Sequence, residues 1–362
     1  MDESGKPRSA RTPQSHRYVW PGALVLVIML VVLTAWFILT KPPPSRTVKP
    51  ETNQMAGVPA PVPLNDFADA DSQGWHTVPH GTQVCDGITF VCAGAIRPAG
   101  LRSARDRHHY PGALIGVPVN QRGSRIHLLQ ASENSLGMMP GAPYGRMVFH
   151  YANGESRKIE LLFGVHGYDW FQGKRDSDEP PADPNSKVAW SEVRPRDGVT
   201  IRFYHTVFTN PLPQISITAA DFISPLQSAN LMLFGLTIDN DQTPLASPAT
   251  PSETVSEPIA AAPVTFALQD AAGRSVDSAT LSWIAQVPGV PIAFPPLPAD
   301  AQGQVTIEVP RRFPYRIEYA ASAPDGSSAS GVLEPNEAGA FPLKSVIKLI
   351  RPGTPSQTPP LR

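Results

Sequence analysis

The stretch MVFHYANGESRKIELLF, residues 147–163, decides the fold of the larger part of this chain. Asn153-Gly154 stands between two runs of alternating apolar and polar residues, which is the strongest short-range signal for a β-hairpin. Each run places three large apolar residues on one face of its strand: Met147, Phe149 and Tyr151 on the first, and Ile159, Leu161 and Phe163 on the second. The stretch therefore predicts two antiparallel strands with a common buried face.

Further strands are predicted on both sides of this hairpin. Residues 199–208 alternate in the same way, and short apolar runs surround Ile126, Ile217 and Leu233. The run at Leu233, NLMLFGLTI, is apolar on both faces and is typical of a central strand. No window of helical length outside residues 23–40 shows a 3.6-residue apolar period. Residues 64–240 are therefore predicted to form a β-sandwich of the jelly-roll type.

A second, smaller β-sandwich is predicted over residues 264–351. The segments VTFALQD, GQVTIEVP, YRIEYAA and SVIKLI each have the alternation of a short strand, and the length suits an Ig-like or transthyretin-like sandwich. Residues 241–263, rich in Pro, Ser, Thr and Ala, predict a linker between the two units. Residues 352–362 predict a disordered Pro-rich tail.

The run ALVLVIMLVVLTAWFILT, residues 23–40, carries no charge. A helix of this length spans ~27 Å, close to the hydrocarbon thickness of a bilayer. We expect a transmembrane helix over residues 19–40 that acts as a signal anchor. A cleaved signal peptide is the alternative, but the run exceeds the usual apolar length, and bulky residues 36–39 follow Ala35.

The anchor sets the expected topology. Residues 1–18 predict a disordered cytoplasmic tail, and residues 41–63 predict a Pro-rich linker that lifts the sandwiches off the membrane. A short basic tail before a long domain favours an N-terminus on the inside. The expected location is therefore the cell membrane, single-pass, with the C-terminal domains in the periplasm or outside the cell.

Charge and motifs exclude several functions. The formal net charge of −1 gives no field that would attract nucleic acid. HExxH, GxSxG, GxGxxG and P-loop patterns are missing from the sequence, so we expect no catalysis. A glycan hydrolase is the weaker alternative, and it would need convergent carboxylates such as Asp169 and Glu160.

The two cysteines, Cys85 and Cys92 in VCDGITFVC, leave two alternatives. A turn at Asp86-Gly87 could bring them across a short hairpin, and an exported location permits a disulfide. Alternatively, both are buried thiols on a core strand.

Metal binding has one weak candidate. Asp69 and Asp71 before Gly74 share the opening of a calcium loop, but the closing glutamate is missing. The interpretations are a structural calcium held by Asp69 and Asp71 or a solvated acidic segment. His76, His80, His108 and His109 lie in Gly/Pro-rich or basic loops and predict exposed imidazoles rather than zinc ligands. No other cofactor is expected.

An aromatic and polar cluster gives the candidate ligand site. Sugar sites combine aromatic faces with carboxylates or amides that fix hydroxyls. The candidate residues are Trp170, Asp169, Tyr151, His150, Asn153 and Trp190. The alternative is that Trp170, Trp190 and Tyr151 belong to the core.

Two family resemblances rest on these segments. The order CDGITFVCAGAI, PGALIGVPV, RIHLLQAS, the hairpin through GYDWF, and FYHTVFTNPLPQISITAADFIS resembles the galactose-binding-like, discoidin-type jelly rolls of bacterial exported proteins. That resemblance implies the fold and a carbohydrate or glycoconjugate ligand. The turn from Asp270 to Gly273 with the GQVTI and YRIEY strands is similar to carboxypeptidase-regulatory or prealbumin-like modules. It implies a structural or adhesive unit.

The sequence thus predicts an all-β protein with two β-sandwich domains and one N-terminal transmembrane helix. The expected function is a membrane-anchored envelope protein that displays a carbohydrate-binding sandwich and a second structural or adhesive sandwich. The alternative is a structural or partner-docking envelope protein without a sugar ligand. Expected partners are the membrane, a glycan or an envelope protein, and no nucleic acid.

Overall fold

The strands of this protein build four larger sheets and one hairpin. A computed structural model describes residues 59–69, 72, 77–172, 179–247 and 261–351. Within these residues the strands are β1 (Ala60–Pro61), β2 (Gly81–Cys85), β3 (Ile88–Cys92), β4 (Ala113–Gln121), β5 (Arg125–Glu133), β6 (Pro143–Tyr151), β7 (Ser156–Leu162), β8 (Phe171–Gln172), β9 (Ser186–Val193), β10 (Thr200–Thr209), β11 (Ile217–Ile223), β12 (Asn230–Asp239), β13 (Ala261–Gln269), β14 (Thr280–Ala285), β15 (Ile292–Pro298), β16 (Gln304–Pro310), β17 (Ile317–Ser322), β18 (Ser328–Leu333) and β19 (Lys344–Lys348). A short helix, α1, spans Leu101–Arg105. The all-β prediction is confirmed.

The predicted membrane helix, residues 19–40, lies outside the described residues, as do the predicted tails 1–18 and 352–362. Where the chain is described, no helix has the length and apolar character needed to cross a bilayer. Both sandwiches belong to one compact unit of the chain.

The first sandwich consists of two antiparallel sheets. One has the order β1-β12-β5-β10-β8, with β9 also paired to β10, and the other has the order β4-β11-β6-β7. As the apolar pattern predicts, β12 lies inside its sheet, and all its residues are buried. The core between the sheets includes Met147, Phe149 and Tyr151 of the predicted hairpin, which pairs His150 with Ser156 next to the turn. The β-hairpin prediction at Asn153-Gly154 is thus confirmed.

A second hairpin, β2–β3, covers the other face of the six-stranded sheet. Its Phe90 is fully buried in a separate core with residues such as Phe203 and Phe234. A Cβ on Gly235 would lie 2.7 Å from the Phe90 ring, so this strand position requires glycine. The β5, β10 and β12 strands are therefore buried on both faces.

The predicted linker of residues 41–63 extends too far. Ala60 and Pro61 form β1 and pair with Ile238 and Thr237 of β12. Val62 donates its N–H to Leu236 at 2.8 Å and is fully buried. These backbone and apolar contacts outweigh the local proline content, so the end of the segment belongs to the first sandwich.

The second sandwich packs a sheet of order β16-β13-β19 against one of order β15-β14-β17-β18. β13 begins at Ala261, inside the predicted linker 241–263, and runs parallel to β19 and antiparallel to β16. Its core contains Phe266, Leu281, Trp283 and Phe313. The edge strand β15 has the sequence IAFPPLP, and prolines are tolerated at an edge because they lack the N–H that an inner strand must donate.

The two sandwiches are joined by a packed junction. Gly112 donates its N–H to the Ala293 carbonyl at 2.7 Å, and Val290 donates to the Ala104 carbonyl at 3.0 Å. A Cβ on Gly112 would lie 2.6 Å from the Phe294 ring, so the ring of the second sandwich rests directly on the backbone of the first. Residues from the first sandwich share the buried cluster of the second: Ala99, Ala104, Ala113 and Leu226.

Candidate functional site

The aromatic residues proposed for the sugar site pack into two different cores. Tyr151 is 3% exposed in the interior of the first sandwich, and its hydroxyl donates to Asn210 Oδ1 at 2.6 Å. Trp170 and Trp190 are half-buried against the other core, which includes Phe90 of the β2–β3 hairpin. The three rings therefore do not converge on one cleft.

The polar members of that predicted site are also engaged locally. Asp169 Oδ2 accepts from the N–H and hydroxyl of Ser135, at 2.9 and 2.8 Å, and Oδ1 accepts from the Phe171 N–H at 3.0 Å. Asn153 Oδ1 accepts from the Glu155 N–H at 3.0 Å inside the hairpin turn. These contacts stabilise turns, as Asp and Asn commonly do.

His150 and Glu160 lie on the outer face of the β4-β11-β6-β7 sheet of the first sandwich. His150 Nε2 is 2.7 Å from Asp221 Oδ2, and Glu160 accepts from Arg146 at 3.0 Å. Asp169, in contrast, is bridged to Ser132 of the six-stranded sheet. The two carboxylates named for a hydrolase are therefore held by different partners on different sheets.

Asp69, one of the two calcium candidates, forms an ion pair. Arg97 Nη2 lies 2.6 Å from Asp69 Oδ2, and Arg97 Nη1 lies 3.4 Å from Glu133 Oε1. The Arg97 side chain is 1% exposed, and its guanidinium also lies 4.4 Å from the centre of the Tyr110 ring. Burial raises the pKa of Glu133, and Arg97 opposes that effect.

Calcium binding stays a prediction because Asp71 lies outside the described residues. Across the described ranges, no three His, Cys, Asp or Glu side chains are grouped so that they could hold a metal ion. His76 also falls outside these ranges. Arg97 places a positive charge beside the Asp69 carboxylate.

The disulfide alternative for Cys85 and Cys92 is wrong in this structure. The β2–β3 register pairs Cys85 with Ile88 and Cys92 with Gly81, so the cysteines stand near opposite ends of the hairpin. Four residue steps along a strand separate them by ~13 Å, beyond the reach of a disulfide. Both are buried free thiols, and burial raises the pKa of Cys92 to about 12.

A chain of polar side chains, which begins at the exposed Lys187 and ends among buried residues, links the β2–β3 turn to the six-stranded sheet. Lys187 Nζ is 2.7 Å from Asp86 Oδ1, and Asp86 Oδ2 is 3.0 Å from His205 Nδ1. His205 Nε2 then lies 2.9 Å from His127 Nδ1, and His127 Nε2 lies 3.1 Å from Asp239 Oδ2. We call these five residues the imidazole chain.

The electrostatics of the imidazole chain depend on the burial of its two histidines. His127 and His205 are only 2% and 3% exposed. Burial lowers the pKa of His205, while Asp86 opposes that effect. Burial disfavours the charged form of the Asp86 carboxyl group. Hydrogen bonds from Lys187 and His205 nevertheless hold its pKa below the usual value.

The sequence contains no local signal for the imidazole chain. His127 and His205 are 78 positions apart and lie on different strands that pair in antiparallel register. Only the alternation on β5 and β10, which places both on the face toward the β2–β3 hairpin, could have indicated their proximity.

A cleft of about 240 Å³ lies between the second sandwich and the outer face of the β4-β11-β6-β7 sheet of the first sandwich. We call it the junction cleft. Its apolar wall is formed by Ala113, Ile115, Val148, Ile223, Trp283, Phe294, Pro295, Leu297 and Ile307. Trp283 and Phe294 stack with ring centres 3.7 Å apart and planes inclined by 7°. Its charged side chains are Arg146, Lys158, Asp221 and Glu308.

The charges of the junction cleft are paired with one another or with the backbone. Arg146 Nη1 lies 2.9 Å from Glu308 Oε2, and Lys158 Nζ lies 3.2 Å from Glu308 Oε1. Asp221 Oδ1 accepts from the Gly116 N–H at 2.8 Å. Ion pairs from the first sandwich to Glu308 also hold the two sandwiches in register.

Comparisons with known proteins identify no family. No family model matches the chain, and no curated protein matches it. Among solved structures, the pilus 2b backbone protein of group B streptococcus aligns with 76% of this chain and 95% of that chain, at 9% identity and a TM-score of 0.21. A similarity this low supports no statement about function. The galactose-binding-like and prealbumin-like resemblances stay predictions.

Proposed function

We propose that this chain is a non-catalytic structural protein of the bacterial envelope, which holds two joined β-sandwiches away from the membrane and docks a protein partner. The observation that carries the proposal is the junction, where the Phe294 ring rests on Gly112 and the cores are continuous. A packed junction with cross-sandwich hydrogen bonds and ion pairs favours one rigid body over two independent modules.

The membrane part of the proposal rests on the sequence. Residues 23–40 are uncharged and have the length of a membrane-spanning helix. We propose that they anchor the chain with its N-terminus inside and that the sandwiches lie in the periplasm or outside the cell. Protease added to the outer side of spheroplasts should then remove the sandwiches, whereas cleavage only after lysis would contradict this topology.

The hydrogen bonds that the predicted sugar-site residues make within the fold favour partner docking over sugar binding. The Tyr151 hydroxyl and both Asp169 oxygens already have partners inside the fold. Their hydrogen-bonding capacity is therefore used to stabilise the first sandwich. Glycan binding, the first expectation from the sequence, is the alternative to this proposal, and it has its own test below.

The experiment is site-specific photo-crosslinking in the native envelope, followed by identification of the captured protein. We expect a discrete partner with the unaltered chain. We expect the same partner with Trp170→Ala, because that ring packs against a core edge. Weaker capture is expected with Gly112→Val, which opens the junction.

Two results would contradict the proposal. One is saturable binding to a glycan array that Trp170→Ala abolishes, which would establish the sugar-binding alternative. The other is a partner captured equally well after the junction is opened, which would show that docking does not need the joined sandwiches.

A further inference from the structure

We infer that the free edge of β19 takes up residues 252–257 of a second copy of this chain as an additional antiparallel strand. This inference does not depend on the proposed docking of another envelope protein. It rests on the backbone groups that are open along β19, on the side chains beside them and on a matching alternation in the sequence.

β19 is the last strand of the β16-β13-β19 sheet. Leu349 donates its N–H to the Gln269 carbonyl of β13 at 2.7 Å. Because backbone groups alternate in direction along a strand, those of Lys344, Val346 and Lys348 face away from β13. Within the described residues no strand pairs with this side of them. An open edge of this kind can bind an extended segment through its main chain.

The side chains of this open edge place an apolar residue between two positive charges. Val346 is 56% exposed, and it lies between the exposed Lys344 and Lys348 on the outer face of the sheet. Neither lysine forms an ion pair with another described residue. Edge lysines repel the same edge of another copy, which protects against aggregation. They attract, in contrast, a strand that carries carboxylates at the matching positions.

Residues 248–260, which lie outside the described residues, contain that pattern. The run SETVSE, residues 252–257, would place Glu253, Val255 and Glu257 on one face of an extended strand. A proline precedes the run and another follows it. Because proline interrupts strand pairing, the run is limited to about the length of β19.

Antiparallel addition matches the two patterns residue by residue. Val255 then lies opposite Val346. Glu257 lies opposite Lys344, and the other glutamate of the run lies opposite Lys348. Each of these pairs exchanges two backbone hydrogen bonds, because the backbone groups of both strands face each other there. A shift by one residue would turn both glutamates to the other face of the sheet, away from the lysines.

The length of the chain assigns the run to a second copy. Lys344 lies beside Thr265 of β13, and an added strand would lie two strand spacings, ~9.6 Å, from β13. Ala261 begins β13 and precedes Thr265 by ~13 Å along the strand. Glu257 opposite Lys344 would thus be ~16 Å from Ala261, whereas the intervening residue steps reach ~14 Å at most. A chain therefore cannot pair its own run with β19 in this register.

The test is disulfide trapping between two full-length chains reconstituted together in lipid vesicles. One chain carries Val255→Cys and a short tag that changes its size, and the other carries Val346→Cys. Opposite residues of a hydrogen-bonded pair have Cα atoms ~5.5 Å apart, which a disulfide can span. The native thiols of both chains are buried. We expect mild oxidation with diamide to yield a mixed dimer of the two sizes.

Two matched controls define the site. Val193→Cys replaces Val346→Cys in the first control, because Val193 is 59% exposed but lies on β9 of the first sandwich. Ser256→Cys replaces Val255→Cys in the second, because a side chain at that position would face away from Val346. Each control should yield about fivefold less mixed dimer, since the required cysteine pair is then not formed by the strand register.

Charge reversal tests the ion pairs. Lys344→Glu with Lys348→Glu in the Val346→Cys chain should abolish the mixed dimer, because these positions then repel the glutamates of the run. Glu253→Lys with Glu257→Lys in the other chain should restore it. Both lysines are exposed, so their replacement leaves the core of the second sandwich intact.

The inference is overturned if Val193→Cys traps as much mixed dimer as Val346→Cys, or if reversal of the two lysines leaves trapping unchanged. It is also overturned if a single chain that carries both Val255→Cys and Val346→Cys forms its disulfide internally, since the run would then occupy its own β19.

Discussion

His127 Nδ1 and His205 Nε2 lie 2.9 Å apart, so one buried imidazole donates a hydrogen bond to the other. Each ring also faces a carboxylate, Asp239 on one side and Asp86 on the other. Two neutral rings supply two protons for these three contacts. A third proton would satisfy all three contacts, but burial of His205 disfavours the positive charge on that ring.

The first prediction concerns the titration of His205. Burial lowers its pKa, and the Asp86 carboxylate limits the decrease. Asp86→Asn removes that opposing charge and should lower the pKa of His205 further. Histidine NMR titration measures the change, with His205→Gln to assign the resonance. An unchanged or raised pKa in Asp86→Asn would show that Asp86 does not act on the ring.

The second prediction concerns stability in acid. Burial lowers the pKa of His166 from 6.5 to about 4, although the nearby Asp183 carboxylate opposes that effect. The Nδ1 of His166 accepts the Leu162 N–H at 2.9 Å. Between these pH values the unfolded chain binds a proton that the folded chain does not. Stability should therefore fall from pH 6.5 to pH 4, by up to ~3 kcal/mol from this group, and this contribution should then level off.

His166→Gln tests this contribution, since it removes the titrating group and keeps an acceptor. Urea unfolding at pH 7, 5.5 and 4.5 should show a shallower loss of stability in the variant than in the unaltered chain. Equal slopes would mean that another group causes the acid sensitivity.

The third prediction concerns the junction. Gly112→Ala places a methyl group against the Phe294 ring, which cannot retreat because it stacks on Trp283. Overpacking of this kind costs about 1–3 kcal/mol. Thermal unfolding should show the loss. In a Phe294→Leu background the same glycine substitution should cost less, and an equal cost in both backgrounds would place the strain elsewhere.

The fourth prediction concerns the two cysteines. Both thiols are free and buried, and burial raises the pKa of Cys92 to about 12, with a further contribution from Cys85. Because the thiolate is the reactive form, neither should react quickly with a dithiopyridine reagent in the folded chain. Two thiols should titrate after unfolding without reductant. A count of zero would reveal the disulfide that the β2–β3 register excludes.

The sequence predicts those parts of the fold that depend on residues close together along the chain. The Asn153-Gly154 turn and the alternation beside it specify one hairpin without any distant contact. In contrast, IAFPPLP was not predicted as a strand, because proline disfavours strands except at an edge, and its edge position is set by the rest of the fold.

The candidate sites were harder to predict for a similar reason. Tyr151, Trp170 and Trp190 have the residue types of a sugar site and equally those of a core, and sequence alone does not separate the two. The junction cleft combines Ile115 with Trp283, residues from different sandwiches. Their proximity depends on the packing of Phe294 on Gly112. No periodic pattern in the sequence indicates this contact.

The prolines of β15 have a consequence for molecules crowded side by side. Pro295, Pro296 and Pro298 offer no amide hydrogen, so a strand from a neighbouring chain finds few donors along this border. Sheet-to-sheet polymerisation through it is thereby suppressed. A dense layer of these molecules would remain a collection of separate units along that border, even at the high local concentrations that tethering to a surface creates.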